Sequence, residues 1–167
     1  MEIVYVSSDG RQHWIDAKLR PTITLEQAIS QSQPGQMMRM IAGDYCIDKP
    51  LRFPCSGTFE QPIIVRGEPD AIINANKQPD PSVSASNPGR DGFAVFQLID
   101  VAHIRIELFT IKRAWPSAVY IENSHDLAFR DLDITDGTYA FYANGEQTRG
   151  IAISDCRWVQ NPNIWRG

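Results

Sequence analysis

The apolar residues of one short phrase recur at a fixed step through the second half of the chain. In HIRIELFTIKR they are Ile104, Ile106, Phe109 and Ile111; in NSHDLAFRDLDITDG they are Leu127, Phe129, Leu132 and Ile134. In GIAISDCRWVQ the matching residues are Ile151, Ile153, Cys156 and Trp158, so that every position advances by 23 residues and then by 24. Within each copy the spacing runs two, three, two. A helix cannot hold that spacing on one face, whereas a strand, a one-residue kink and a second strand can. A third strand keeps the same step: Phe96 and Leu98 are followed by Val119 and Ile121, and more loosely by Phe141 and Ala143. Three short strands per unit, joined by polar corners, predict the coil of an all-β parallel β-helix of about five coils.

With 167 residues, 43% of them hydrophobic, the chain can bury one substantial core, and it is read as a single domain spanning 1–167. No stretch approaches the roughly 20 apolar residues of a membrane span, so no membrane partner is expected. A formal charge of −4 without any dense Lys/Arg run argues against a nucleic-acid partner. Cys46, Cys55 and Cys156 lack zinc-ligand spacing and are expected as buried free thiols, a Cys46–Cys55 disulfide being the alternative if their strands meet. The opening MEIVYVSSDG is too short and polar for a secretory leader. The ending NPNIWRG follows a strand pair without a polar cap. An uncapped coil exposes apolar side chains and strand edges, so the expectation is an N-terminal fragment, or self-association through an open C-terminal coil.

Residues 1–36 are read as a strand and a capping helix. TITLEQAIS has the capping-box pair Thr24 and Gln27, with Leu25, Ala28 and Ile29 on one face, and QPG ends it at Gly35. The first coils occupy 37–75, with Met38, Met40, Ile63 and Val65 inward. The Pro-, Ser-, Asn- and Gly-rich 76–92 is an inserted loop, either a groove wall or a surface excursion. Regular coils fill 93–167.

The order of the words PG, GDY, SGT and PIIVRG, followed by the triple repeat, resembles the N-terminal part of the pectate-lyase-like right-handed parallel β-helix proteins. The chain is most similar within them to the chondroitinase-B and alginate lyase type, over about Thr24 to Trp158. The resemblance implies a right-handed β-helix and a secreted or periplasmic protein that binds or cleaves an acidic polysaccharide. The Asp-His strand motif of classical pectate lyases and the Gly-His-Gly word of polygalacturonases are absent, so no catalytic residue is carried over.

Coils stack about 4.8 Å apart, so outward side chains form ladders that can be read by subtraction. The outward pairs of the first strand are Arg39 and Ile41, Ile64 and Arg66, Arg105 and Glu107, Ala128 and Arg130, Ala152 and Ser154. Such an arginine strip suits carboxylates or sulfates, which the guanidinium fork grips in bidentate fashion, and the two alanines leave a floor for a sugar ring. The candidate substrate-binding residues are therefore Arg66, Arg105, Glu107 and Arg130. The competing reading is that Arg66, Glu107 and Arg130 merely satisfy one another as plus, minus, plus. In the second strand Asp131, Asp133 and Asp155 form a candidate calcium site, Asp133 lying under Arg157. His103 and Asp126 are equivalent across the repeat and can stack as a pair. Ser124, His125 and Asp126 are read as turn residues, since neighbours at a turn do not aim at one another in relay geometry.

These residues point to a carbohydrate-active module acting on a uronate polymer by β-elimination. Arg105 and Arg130 are the expected carboxylate contacts, and the base is unnamed. The alternative is a non-catalytic β-helix, an adhesin, tailspike-like stalk or structural segment, or an inactive fragment of a longer lyase.

Overall fold

The structure, a computed structural model, describes residues 1–10, 22–78 and 90–160. In chain order its elements are β1 (Glu2–Val6), α1 (Leu25–Ser30), β2 (Gln36–Met40), β3 (Gly43–Cys46), β4 (Leu51–Arg52), β5 (Ile63–Gly67) and β6 (Ala71–Asn74). They continue with β7 (Ala94–Ile99), β8 (Ala102–Lys112), β9 (Ser117–Glu122), β10 (His125–Thr135), β11 (Tyr139–Asn144), β12 (Arg149–Ser154) and β13 (Arg157–Val159). All pairings between strands are parallel and join successive coils, and the chain is a right-handed parallel β-helix.

Three faces wrap one core. Face one stacks β1, β2, β5, the first half of β8, the first half of β10, and β12. Face two stacks β3, β6, the second halves of β8 and β10, and β13. Face three stacks β4, β7, β9 and β11. The repeat read from the sequence is the observed register: Ile104 lies opposite Leu127 and Ile151 lies opposite Leu127 on the other side. Phe96, Val119 and Phe141 form one rung of face three, in the alignment that the looser third-strand match implied.

Inward rows are excluded from water until the last coil. Met38, Val65 and Ile106 are completely buried and Phe129 nearly so, while Phe141 packs edge-on against Phe129 with ring centroids 5.0 Å apart. The same row ends at Ile153, which is 49% exposed, and Trp158 and Val159 are also open on this last coil. At the other end α1 covers the core with Leu25, Ala28 and Ile29, and its capping box is formed as expected: Gln27 N–H donates to Thr24 Oγ1 and Thr24 N–H to Gln27 Oε1. The three cysteines are free, but none is fully buried: Cys55 and Cys156 are half-buried, and Cys46 is exposed because it ends β3 on the outward side of the pleat.

The corners follow a conformational rule. Left-handed backbone recurs at the repeat spacing, at Asp100 and Asn123, at His103, Asp126 and Gly150, at Leu108, Asp131 and Asp155, and at Arg113 and Asp136. Asp and Asn tolerate this region better than other L-residues because their short polar side chains bond locally. The dense aspartates of residues 123–137 are therefore largely corner residues. Ser124 completes its corner from inside: fully buried, its hydroxyl accepts from Val101 N–H at 3.1 Å and can donate to the Leu98 carbonyl.

One corner differs between coils, and this shapes the surface. From Arg66 to Ile72 the chain takes six residues to span what Glu107 to Thr110 spans in three. The extra residues, Glu68–Asp70, stand proud of the one-residue bends at Leu108 and Asp131.

Core position decides the cost of truncation. Phe129→Ala should lose about 3–5 kcal/mol of unfolding free energy, whereas Ile153→Ala, in the same row on the open coil, should lose under about 1 kcal/mol. Urea unfolding of the two variants checks this.

Candidate functional site

Face one carries the predicted strip, and the register places it as read. Arg66 lies opposite Glu107, Glu107 opposite Arg130, and Arg130 opposite Ser154. Contacts then divide the arginines. Arg39 bonds Glu68 at 2.8 Å, Arg66 approaches Glu107 at 3.6 Å, and Arg130 Nε donates to the carboxylate of Asp131 at 2.9 Å. Arg105 is exposed, and among the described residues no ion pair or hydrogen bond engages it. It projects from β8 between Ile64 and Ala128 of the neighbouring coils, with Ala152 one coil further. Charge satisfaction therefore accounts for Arg39, Arg66 and Arg130, and leaves Arg105 as a guanidinium with free donors. Ile64 and Met37, though on the outward side, are buried to 7% and 8% exposure, so the floor is open only from Arg105 onward.

The wide corner at Glu68–Asp70 creates a cleft between faces one and two. One lobe, of about 330 Å³, is lined by Met37, Arg39, Arg66, Glu68, Pro69 and Leu108; the other, of about 390 Å³, runs on past Leu108, Phe109 and Thr110 to Asp131 and Asp133. Gly67 is required at its base, since a Cβ there would lie 2.5 Å from the Leu108 carbonyl oxygen. Asp133 sits opposite Arg157 as expected and reaches it at 3.6 Å. Asp131 instead turns to Arg130. Asp131, Asp133 and Asp155 are not gathered into a common ligand set: among the described residues the three-residue group with ligand atoms within 4.8 Å of one another is His103, His125 and Asp126.

That second group lies at the opposite edge of face one. His103 Nε2 stands 4.0 Å from Asp126 Oδ2, the stacked pair expected from the repeat. His125 Nδ1 also meets Asp126 Oδ2, at 2.8 Å, with the two imidazoles edge to face at 5.8 Å. Asp126 is a corner residue as expected, but the expectation that neighbours at this turn do not aim at one another is corrected for His125 and Asp126. A positive φ at Asp126 (53°) breaks the strand alternation and sends two adjacent side chains to the same side. Ser124 belongs to the turn, as expected. The His125 hydrogen bond, foremost, holds the Asp126 carboxyl below its usual range. Phe59, 82% exposed, is carried on the loop preceding β5; this loop is tied to the same edge by Gly57 N–H donating to the Ala102 carbonyl and by Ser56 Oγ accepting from Ala102 N–H. Neither His125 nor Phe59 carries a repeat signal: the residue one coil on from His125 is Arg149, and Phe59 lies in a loop unique to its coil.

Of the insertion read as 76–92, residues 79–89 lie outside the described residues. Its C-terminal end is clamped to face three: Arg90 bonds Glu122 at 2.7 Å and Asp100 at 3.1 Å, and Gln97 donates to the Gly92 carbonyl. The Tyr120 hydroxyl donates a short bond to Glu122. Burial, reinforced by that carboxylate, pushes the Tyr120 phenol up to about 12, and the Tyr120 bond, with Arg90 adding to it, holds the Glu122 carboxyl below its usual range.

Solved structures with the same architecture are similar to the chain over nearly its whole length. A GH136 lacto-N-biosidase from Eubacterium ramulus superposes with a TM-score of 0.70 at 15% identity, covering 95% of this chain and 34% of that one. A rhamnogalacturonan lyase gives 0.62 at 13% identity, covering 95% and 51%, and the pectate lyase Pel9A gives 0.54 at 15%, covering 93% and 47%. The chain thus spans between about a third and a half of the length of these structures. At such identities the likeness establishes the β-helix fold. No protein-family model matches the chain, and no curated protein matches it.

The Glu122 clamp has a pH signature. A carboxyl depressed in the folded state adds stability that is present above its unfolded pKa and is lost as the pH falls through its folded value. Glu122→Gln should therefore flatten the fall in Tm below about pH 4.5, the ordinary glutamate value, relative to the native chain. Thermal unfolding followed across pH 3–6 checks it.

Proposed function

We propose that face one binds an acidic, uronate-containing polysaccharide, and that Arg105 is its principal carboxylate contact. The observation that carries this reading is the unpaired Arg105 beside the small side chains of Ala128 and Ala152. A free guanidinium offers two parallel N–H donors to a planar carboxylate, and among the described residues no internal partner has to be displaced first. Arg130 is the weaker contact, since binding through it competes with Asp131. Arg66 and Glu107 form the flank of the strip and neutralise one another.

Such a contact serves β-elimination. Removing the proton α to a uronate carboxylate places negative charge on that group, and a cation already bound to it stabilises the charge as it develops. The solved structures named above include two lyases by their printed names, which supports a polysaccharide as the substrate class. The resemblance of the sequence to the chondroitinase-B and alginate lyase type makes alginate and chondroitin the first substrates to try, with the protein working in a secreted or periplasmic setting. A second reading, a binding module without lyase chemistry, is favoured by the neutralisation of Arg39, Arg66 and Arg130 within the protein.

Incubation with alginate, pectate and chondroitin, followed by the ultraviolet absorbance of an unsaturated uronate and by a binding isotherm, separates these outcomes. Absorbance establishes elimination; binding without absorbance leaves the module; neither overturns the proposal. Arg105→Ala should weaken binding by about tenfold or more, the loss of a charge-assisted contact, and Arg130→Ala by clearly less.

A further inference from the structure

We infer that His103, His125 and Asp126 form a binding site for a divalent transition-metal ion of the zinc type, a site independent of the polysaccharide reading. Two imidazoles and one carboxylate converge across two adjacent coils, with all three ligand atoms within 4.8 Å of one another. A tetrahedral zinc ion has bonds of about 2.0–2.2 Å, which places its ligand atoms roughly 3.3 Å apart. The observed 2.8 Å and 4.0 Å separations to Asp126 Oδ2 bracket that value, and the third separation lies within 4.8 Å, so modest rearrangement of the side chains would close the set. Backbone placement is fixed by the register: β10 lies beside β8, His125 is aligned with Ala102, and both His103 and Asp126 take the left-handed conformation that turns their side chains outward.

The surroundings leave space for an ion. One coil on from Asp126, the equivalent position is Gly150, where a Cβ would come within 3.0 Å of Asp126 Oδ1. Arg149, aligned with His125 on that coil, donates to the Gln147 carbonyl at 3.4 Å, and its charge also acts on Asp126, so a bound ion competes with it there. The two histidine side chains are 26% and 34% exposed and that of Asp126 is 54% exposed, so a bound ion would retain a solvent-facing position. Three protein ligands with an open fourth position is the arrangement of reactive rather than purely structural zinc sites. Two nitrogen donors select the borderline ions zinc, cobalt, nickel and copper over calcium, which takes six to eight oxygen ligands.

The test uses the full chain and Co²⁺ as a coloured probe, with Zn²⁺ displacing it. The expected result is one Co²⁺ per chain, with visible ligand-field bands and no thiolate charge-transfer band, which sets the site apart from the free cysteines. His103→Asn, His125→Gln and Asp126→Asn should each weaken binding by more than about tenfold. As a readout that does not depend on colour, Zn²⁺ should raise the Tm of the native chain and not that of the three variants, each checked by circular dichroism for its β content. Native-chain binding no tighter than that of the three variants, a thiolate band, or affinity unchanged in His125→Gln, the more exposed of the two histidines, would each overturn the proposal. Loss of polysaccharide binding in Arg105→Ala with metal binding intact would separate the two sites.

Discussion

Parallel pairing between successive coils is the constraint on which everything else in this protein depends. Each coil supplies the backbone partners of the next, so a strand that slipped by one residue would turn its whole inner row to water. The 23- and 24-residue steps keep Ile104, Leu127 and Ile151 in one rung, and Ile106, Phe129 and Ile153 in the next. Once that register is fixed, the outward rows are fixed as well. Arg66, Glu107 and Arg130 are aligned because their inward neighbours are.

Surface features arise where coils depart from one another. Three extra residues at Glu68–Asp70 raise a wall, and the tight bends of Leu108 and Asp131 beside it leave the cleft. At the opposite edge, left-handed residues at the start of β8 and β10 turn His103 and Asp126 outward and bring His125 with them. Regular coils build a wall of side chains, and irregular corners build sites on it. The insertion after β6 behaves differently, since Arg90 and Gly92 fasten its described end to face three.

Much of this was legible before any coordinates. The strand periods, the capping box of α1, the outward ladder and the His103–Asp126 pair all follow from spacing, because spacing maps directly onto a repeating structure. The charge partners did not follow. Arg130 pairs with its own sequence neighbour Asp131 rather than with Glu107 across the rung, a choice made by the bend at Asp131. His125 was hidden for the same reason: a positive φ at one residue reverses the side on which its neighbour projects, and alternation arguments assume no such reversal.

By itself the sequence determined a parallel β-helix, its register and the composition of its core, since these rest on hydrophobic burial that recurs at a fixed period. Only the tertiary structure decided which polar side chains are spent on one another and which remain free. Arg39, Arg66 and Arg130 are held by carboxylates, and among the described residues Arg105 is not. The physical reason is range: burial is set by where a residue falls in the repeat, whereas an ion pair or a metal-like cluster depends on ångström-scale positions that corners of unequal length control.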